Sequence, residues 1–200
     1  MIPNIKGEDI LEIRQLKGER VDFIGRTKSL TLRVRQPTIS DLGAVAAGAQ
    51  RCSAETTRRF TMLYPPYRTP DTPLTICHYP TFKPGDLGYL YLIMEVDSEI
   101  VGFGRHYYTH ADDLPGYQIQ EATDTLGACS LCITDEHQGK GLGTLYGQIN
   151  KQICKHLGAQ WLVGCTYIRG GMTNIRLRDG FEVVEIIDTD SPQARIRKRL

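Results

Sequence analysis

Apolar and polar residues are arranged along this chain in a pattern that predicts a mixed α/β protein. Residues 30–35 alternate strictly between apolar and polar side chains, which is typical of a half-buried strand. Residues 38–50 begin with side chains suited to a helix start and continue through an alanine-rich stretch, which predicts a helix. A similar start at residues 53–56 predicts a second helix.

The second half of the chain alternates strands and helices. Strands are predicted at residues 89–96, 100–108, 126–133, 161–168 and 181–187, and helices at residues 142–157 and 171–178. The polar segment 97–99 predicts a tight hairpin turn, and residues 194–199 are a candidate last strand. The chain contains no internal repeat.

Two segments do not follow this regular order. Residues 1–28 are mixed and charged, with a candidate short helix near residues 8–16, and are treated as an extension that precedes a domain at residues 29–200. Residues 64–88 hold six of the chain's ten prolines together with three tyrosines, which rules out a regular element there. This irregular Pro/Tyr-rich loop is interpreted either as a substrate-facing loop or as a packed surface insertion.

Composition and charge exclude several classes of partner. The hydrophobic and charged fractions, 40% and 24%, are ordinary for a globular protein, and the formal net charge of +1 gives no reason to expect nucleic acid or a membrane surface. A basic cluster at residues 195–199 is interpreted as a solvated tail or an edge strand. Because no apolar run approaches the roughly 20 residues of a membrane span and the N-terminus is acidic, we expect a cytoplasmic protein.

The six cysteines predict neither a metal site nor a disulfide framework. Cys129 and Cys132 have the spacing of half a zinc site, but no second pair with matching spacing exists. Residues three apart on a strand also face opposite ways, so the two thiols could not easily share a metal. We therefore expect no metal.

The glycine-rich run at residues 138–144 (QGKGLGT) is the strongest candidate for chemistry. It joins a predicted strand to a predicted helix, and such a junction directs backbone N–H groups and the positive end of a helix dipole at one point. An anion such as a phosphate suits that point. A P-loop does not fit, because Lys140 lies between glycines, and a dinucleotide fingerprint does not fit, because Thr144 stands where its third glycine belongs.

The spacing Gln138-x-x-Gly141-x-Gly143 resembles the Q/R-x-x-G-x-G/A loop of the GNAT superfamily of N-acetyltransferases. Residues 100–105 (IVGFGR) are similar to that family's third strand, and residues 172–181 to its fourth helix and the turn after it. The resemblance implies the GNAT-like, acyl-CoA N-acyltransferase fold. That fold is an α/β architecture in which a mixed, mostly antiparallel sheet is flanked by helices.

The resemblance also implies a binding site for acetyl-CoA, as a co-substrate. The glycine loop would hold the pyrophosphate, and the pantetheine arm would follow the end of the preceding strand. The residues implied in binding are Leu131, Cys132, Ile133, Gln138, Gly139, Lys140, Gly141, Leu142, Gly143 and Thr144.

The catalytic residues are less clear, because the chain departs from the family pattern. Relatives often carry a tyrosine general acid at the position of Arg176 and an asparagine at the position of Arg169. Tyr167 is our candidate substitute for the acid. Glu121 is our candidate general base, with Asp124 an alternative, since the start of the strand at residue 126 holds no carboxylate.

The function that the resemblance implies is transfer of an acetyl group from acetyl-CoA to an amine by direct attack in a ternary complex. The amine acceptor could be a small molecule, a protein lysine or a protein N-terminus, and the sequence does not choose among them. The alternative is a non-catalytic acyl-CoA-binding or sensing domain. Nucleic acid and membrane partners are not expected, and a homodimer is left open.

Overall fold

The computed structural model describes residues 9–16, 18, 20–54, 56, 76–78, 80–168, 171–188 and 192–200. The strands found in these residues are β1 (Ile10–Gln15), β2 (Asp22–Thr27), β3 (Thr31–Arg35), β4 (Gly88–Val96), β5 (Glu99–His110), β6 (Thr125–Ile133), β7 (Trp161–Tyr167), β8 (Glu182–Ile187) and β9 (Gln193–Arg199). The principal helices are α1 (Leu42–Gln50), α2 (Leu142–His156) and α3 (Gly171–Arg178).

Most of the elements predicted from hydrophobic patterning are confirmed. The predicted strands match β3 to β9, and the predicted helices match α1, α2 and α3. Asp97 and Ser98 have φ angles of 51° and 67°, as the tight hairpin between β4 and β5 requires. Ala54 and Thr56 are helical, but the rest of the predicted second helix and most of the 64–88 loop lie outside the described residues. Residues 76–78 of that loop are helical, so the prediction of no regular element there is wrong at these three residues.

The predicted helix near residues 8–16 is wrong, because β1 occupies this segment. β1 pairs antiparallel with β2, and β2 pairs antiparallel with β3. The apolar spacing of residues 10–15 fits a helix turn as well as a strand, so pairing with β2 decides the outcome. Residues of the predicted extension therefore form two strands of the sheet.

The chain forms two compact units. The first contains Met1–Lys83, Leu90–Arg105 and Ser130–Ile153. Its strands are ordered β1-β2-β3-β4-β5-β6. β4, β5 and β6 are therefore neighbours in the sheet. Its α1 packs on one face of the sheet, where Val45 and Ala49 join Ile93, Ile100 and Phe103 in a buried cluster.

Helix α2 packs on the other face of the first unit's sheet, because successive strand residues point to opposite faces. Phe103 lies against α1, whereas a Cβ on Gly104 would come within 2.5 Å of the Tyr146 hydroxyl oxygen. A Cβ on Gly25 of β2 would come within 2.7 Å of Ile149. These glycines let α2 approach the sheet closely.

The second unit contains Pro84–Tyr89, His106–Cys129 and Cys154–Leu200, and its strands are ordered β5-β6-β7-β9-β8. β6 and β7 are parallel, whereas β9 is antiparallel to both β7 and β8. The prediction that residues 195–199 form a solvated tail or an edge strand is therefore wrong. Arg195 pairs with Glu185, and the Arg197 guanidinium lies 5.5 Å from the Trp161 ring.

The architecture as a whole is a mixed, mostly antiparallel sheet flanked by helices. Antiparallel pairing predominates among the described strand pairs, and the parallel pair β6–β7 is connected through α2. The α/β fold class predicted from the sequence is confirmed.

A charge cluster connects β3, β4 and the start of α1. The Arg35 guanidinium donates to both carboxylate oxygens of Glu95, at 2.9 and 2.6 Å, and to both of Asp41, at 2.8 and 2.7 Å. Asp41 also accepts a hydrogen bond of 2.6 Å from the Thr38 backbone N–H, which helps to start the helix. Hydrogen bonding to Arg35 lowers the pKa of Asp41 to about 2.

We expect Asp41→Asn to lower the free energy of unfolding by about 2 kcal/mol at pH 7. The folded-state pKa of Asp41 lies below its unfolded value, so this stabilisation is complete above about pH 4 and is lost as the pH falls through about 2. Urea denaturation of both proteins between pH 7 and pH 3 would measure it. A stability difference that stays constant over this range would show that ionisation of Asp41 is not its source.

Candidate functional site

The glycine loop connects β6 to α2 within the first unit. After β6 the chain makes a short 3₁₀ turn at Asp135–His137, and Gly139 and Gly141 then adopt φ angles of 72° and 78°. These are left-handed conformations, which glycine adopts without the clash that a Cβ would cause. The predicted strand–loop–helix junction is therefore confirmed, and two of its glycines are required by the backbone.

The loop presents a run of unpaired backbone N–H groups. The N–H groups of Thr144 and Leu145 donate to the Gly141 carbonyl, at 3.0 and 3.2 Å, and so begin the helix. Among the described residues, none accepts a hydrogen bond from the backbone N–H of residues 139–143. Five consecutive free donors at the positive end of a fifteen-residue helix are suited to bind an anion.

The Gln138 side chain holds the loop in place. Its amide nitrogen donates to the Ile133 carbonyl at 3.1 Å and to the Thr56 hydroxyl at 3.0 Å. The sequence grouped Gln138 with the binding residues, and the structure gives its side chain a positioning role. A nearby carboxylate strengthens the same connection, because Asp135 accepts a hydrogen bond of 2.6 Å from Thr56.

The loop's acidic neighbours are already engaged by partners. Hydrogen bonds from Thr56 and Ser53 lower the pKa of Asp135. Glu136 lies 3.2 Å from Arg51, an arginine that also pairs with Glu99 in the β4–β5 hairpin. Arg51 partly offsets the charge of Glu136, whereas the hydrogen bonds from Thr56 and Ser53 favour the ionised form of Asp135, which would repel an anion.

Lys140 supplies positive charge within the loop. Its ammonium has no ion-pair partner in the part of the chain that the structure describes. An unpaired lysine between Gly139 and Gly141 is suited to contact an anion held by the backbone donors. Its charge therefore adds to that of the helix terminus.

The end of β6 leads directly into this anion site. Residues 126–128 of β6 pair in parallel with residues 161–163 of β7. Leu131, Cys132 and Ile133 follow this paired stretch along β6. Cys132 itself is buried, and its thiol lies 3.7 Å from the Cys52 thiol, which raises the pKa of Cys132. Only the backbone of Cys132 is therefore suited to contact a ligand.

The two candidate catalytic residues lie in the second unit. Tyr167 is the last residue of β7 and pairs with Gln193, while its carbonyl accepts a hydrogen bond from the Thr173 hydroxyl at 2.5 Å. Glu121 is exposed in the turn before β6. Asp124, the alternative base, accepts a hydrogen bond of 2.8 Å from the Trp161 indole and so has a structural partner.

Sequence reasoning missed the burial of Arg176. It noted this residue only as a departure from the family pattern. In the structure, Arg176 is 8% exposed and lies beside Cys129 and Phe181. A weak hydrophobic period in α3 gives no sign of which side of the helix faces inward.

Neither a metal-ligand cluster nor a membrane-spanning helix is found in the described ranges. No three or more histidine, cysteine, aspartate or glutamate side chains in these ranges lie close enough together to hold a metal ion. Within the same ranges, every helix is too short or too polar to cross a membrane.

Comparison with known proteins identifies the fold. No protein-family model and no curated protein sequence matches the chain. The GNAT domain of S. lividans PAT matches with a TM-score of 0.67 at 16% identity, covering 94% of this chain and 100% of that one.

Two further solved structures match across most of their length. The acetyltransferase of the GNAT family from Streptococcus pneumoniae gives a TM-score of 0.57 at 12% identity and covers 84% of this chain and 99% of that chain. Arabidopsis thaliana NAA60 in complex with acetyl-CoA gives 0.57 at 11% identity, with 84% and 99% covered. The predicted GNAT-like fold is confirmed.

Proposed function

We propose that this protein transfers an acetyl group from acetyl-CoA to an amine. The observation that carries the proposal is the run of free backbone N–H groups at residues 139–143, at the start of α2 in a GNAT fold. A pyrophosphate carries the charge and the several acceptor oxygens that such a run requires. A fold neighbour, Arabidopsis thaliana NAA60, was solved with acetyl-CoA and with a bisubstrate analogue.

Both backbone and side-chain groups are proposed to bind acetyl-CoA. The loop amides and Lys140 hold the pyrophosphate, while Leu142, Gly143 and Thr144 place the start of α2 beneath it. The pantetheine arm follows the end of β6, where the amide and carbonyl groups of Leu131, Cys132 and Ile133 suit its two amide bonds. No metal takes part in this proposal.

The proposed reaction is direct attack of the amine on the thioester. The new C–N bond forms as the C–S bond breaks, so the amine must lose a proton and the sulfur must gain one. Glu121 is proposed to take the proton from the amine through water, and Tyr167 to donate one to the sulfur. Both roles stay predictions, as do the cytoplasmic location, the homodimer and the boundary at residue 29.

A second function is favoured by one observation. Asp124 is engaged by Trp161, and Glu121 is an exposed turn residue, so neither of the two candidate carboxylates is held in place as a base. An acyl-CoA-binding or sensing domain would need the glycine loop and no base.

One pair of assays separates the two functions. We expect calorimetric titration to show acetyl-CoA binding, and a thiol-release assay with a panel of primary amines to show acetyl transfer, because both halves of the reaction are proposed here. Binding with no transfer to any amine would establish the sensor instead. Absence of acetyl-CoA binding would reject both functions.

A further inference from the structure

The Thr56 hydroxyl connects two segments of the first unit that lie far apart in the sequence. It donates a hydrogen bond to the Asp135 carboxylate at 2.6 Å. It accepts one from the Gln138 side-chain amide at 3.0 Å and one from the Ser53 hydroxyl at 3.2 Å. Because a hydroxyl has one donor and two acceptor lone pairs, these three hydrogen bonds use its full capacity.

The directions of these hydrogen bonds follow from the charge of Asp135. Hydrogen bonds from Thr56 and Ser53 lower its pKa, so the carboxylate is ionised at pH 7 and can only accept. Thr56 must therefore donate to Asp135, which leaves the lone pairs of its oxygen for the Gln138 amide. A chain of hydrogen bonds that ends on an anion is stronger than the same bonds between neutral groups. Residues outside the glycine loop thus fix the orientation of the Gln138 amide.

Gln138 connects Thr56 to the start of the glycine loop. Its amide nitrogen also donates to the Ile133 carbonyl at 3.1 Å, and the next residue, Gly139, begins the run of free backbone N–H groups. Gly139 lies in open space, since a Cβ there would meet no atom within 4 Å. Glycine also has more conformational freedom to lose than other residues when a ligand orders it. Hydrogen bonds rather than packing therefore hold the start of the run.

We propose that Thr56 is a positioning residue for the pyrophosphate of acetyl-CoA. It orients the Gln138 amide, and through it the backbone N–H groups of residues 139–143, before the ligand arrives. A loop that is ordered in advance loses less conformational entropy on binding, which raises its affinity. Thr56 acts through Gln138 and takes no part in the transfer step. This role deepens the proposed function and rests on it for the identity of the ligand.

A double-mutant cycle between Thr56 and Gln138 tests the proposal, with the affinity for acetyl-CoA measured by calorimetry. Thr56→Val keeps the branched shape of the side chain but removes the hydroxyl, and Gln138→Met removes the amide. We expect Thr56→Val to bind acetyl-CoA about tenfold more weakly than the wild type. Because both changes break the same hydrogen bond, adding Thr56→Val to Gln138→Met should change the affinity little further.

Two further variants serve as rescue and control. Thr56→Ser keeps a hydroxyl and should recover most of the affinity that Thr56→Val loses. Thr31→Val is the matched control, because Thr31 is exposed on β3 of the same unit and its hydroxyl has no hydrogen-bond partner among the described residues. This variant should bind acetyl-CoA as the wild type does. Melting curves verify folding, and Thr56→Ala, which favours a helix, replaces Thr56→Val if the valine variant does not fold.

Two results would overturn the positioning role while leaving acetyl transfer standing. Unchanged affinity in folded Thr56→Val would show that the hydroxyl does not position the loop. An equal loss from Thr56→Val with and without the Gln138 amide would show that Thr56 acts by another route, such as freeing the Asp135 carboxylate to repel the ligand. Absence of acetyl-CoA binding by the wild type would instead reject the proposed function, and this role with it.

Discussion

The Gly141→Asp variant is expected to lose measurable affinity for acetyl-CoA, by about a hundredfold or more. Gly141 has a φ of 78°, which disfavours any residue with a Cβ. The new side chain would place a carboxylate beside five backbone donors that are proposed to hold a pyrophosphate. Repulsion between the two anions and loss of charge-assisted hydrogen bonds both oppose binding. Isothermal titration calorimetry measures the change.

Gly43→Asp provides the matched control for charge. Gly43 is exposed on α1, and a Cβ there would meet no atom within 4 Å. This variant should bind acetyl-CoA as the wild type does. Both variants should remain folded, which melting curves would verify. Wild-type affinity in folded Gly141→Asp would remove the glycine loop from the binding site.

Gly102→Ala is expected to lower the free energy of unfolding by about 3 kcal/mol. A Cβ at Gly102 would lie 2.2 Å from the Met94 side-chain methyl and 2.6 Å from the Cys132 carbonyl oxygen. The methyl can move, but the carbonyl belongs to the backbone of β6 and cannot yield without shifting the strand. Urea denaturation measures the loss.

Gly43→Ala should have the opposite effect, because alanine favours the helix and meets open space there. We expect it to raise stability by about 0.5 kcal/mol. If both alanine variants were equally stable, the close contact between Gly102 and β6 would not exist in solution.

The strand–loop–helix junction was predictable from the sequence because its determinants are local. Strand, loop and helix follow one another over residues 131–157, and the glycine spacing alone excludes two common nucleotide loops. The positive φ angles of Gly139 and Gly141 confirm that the chain turns through glycines here, and anion binding by the loop stays a prediction. The role of Gln138 was missed, because it depends on Thr56, a residue 82 positions away.

The two N-terminal strands were not predictable in the same way. β2 needs Gly25 so that Ile149 of α2 can approach, and this contact joins residues far apart in the chain. The basic residues of β9 predict an exposed segment. In the structure, Arg195 pairs with Glu185, and Arg197 pairs with Glu182 and lies over the Trp161 ring. The residue pattern of one segment cannot reveal these contacts.

The candidate catalytic residues are the least predictable part of the proposed site. Asp124 was a candidate base from its position alone, but the Trp161 indole binds its carboxylate. Arg176 stands where the family pattern has a tyrosine, and the sequence gives no sign that its side chain is buried. Burial of a charged residue is a tertiary property, and sequence composition predicts the reverse.

The central claim is that the amides of residues 139–143 bind the pyrophosphate of acetyl-CoA. Two-dimensional ¹H–¹⁵N NMR of the labelled protein tests it most directly, because each glycine amide gives its own signal. Acetyl-CoA should shift the amide protons of Gly139, Gly141 and Gly143 downfield, and acetyl-pantetheine, which lacks the pyrophosphate, should not. Gly43 and Gly158 should stay unchanged with either ligand. Saturating acetyl-CoA that leaves the loop glycines unshifted would contradict the claim.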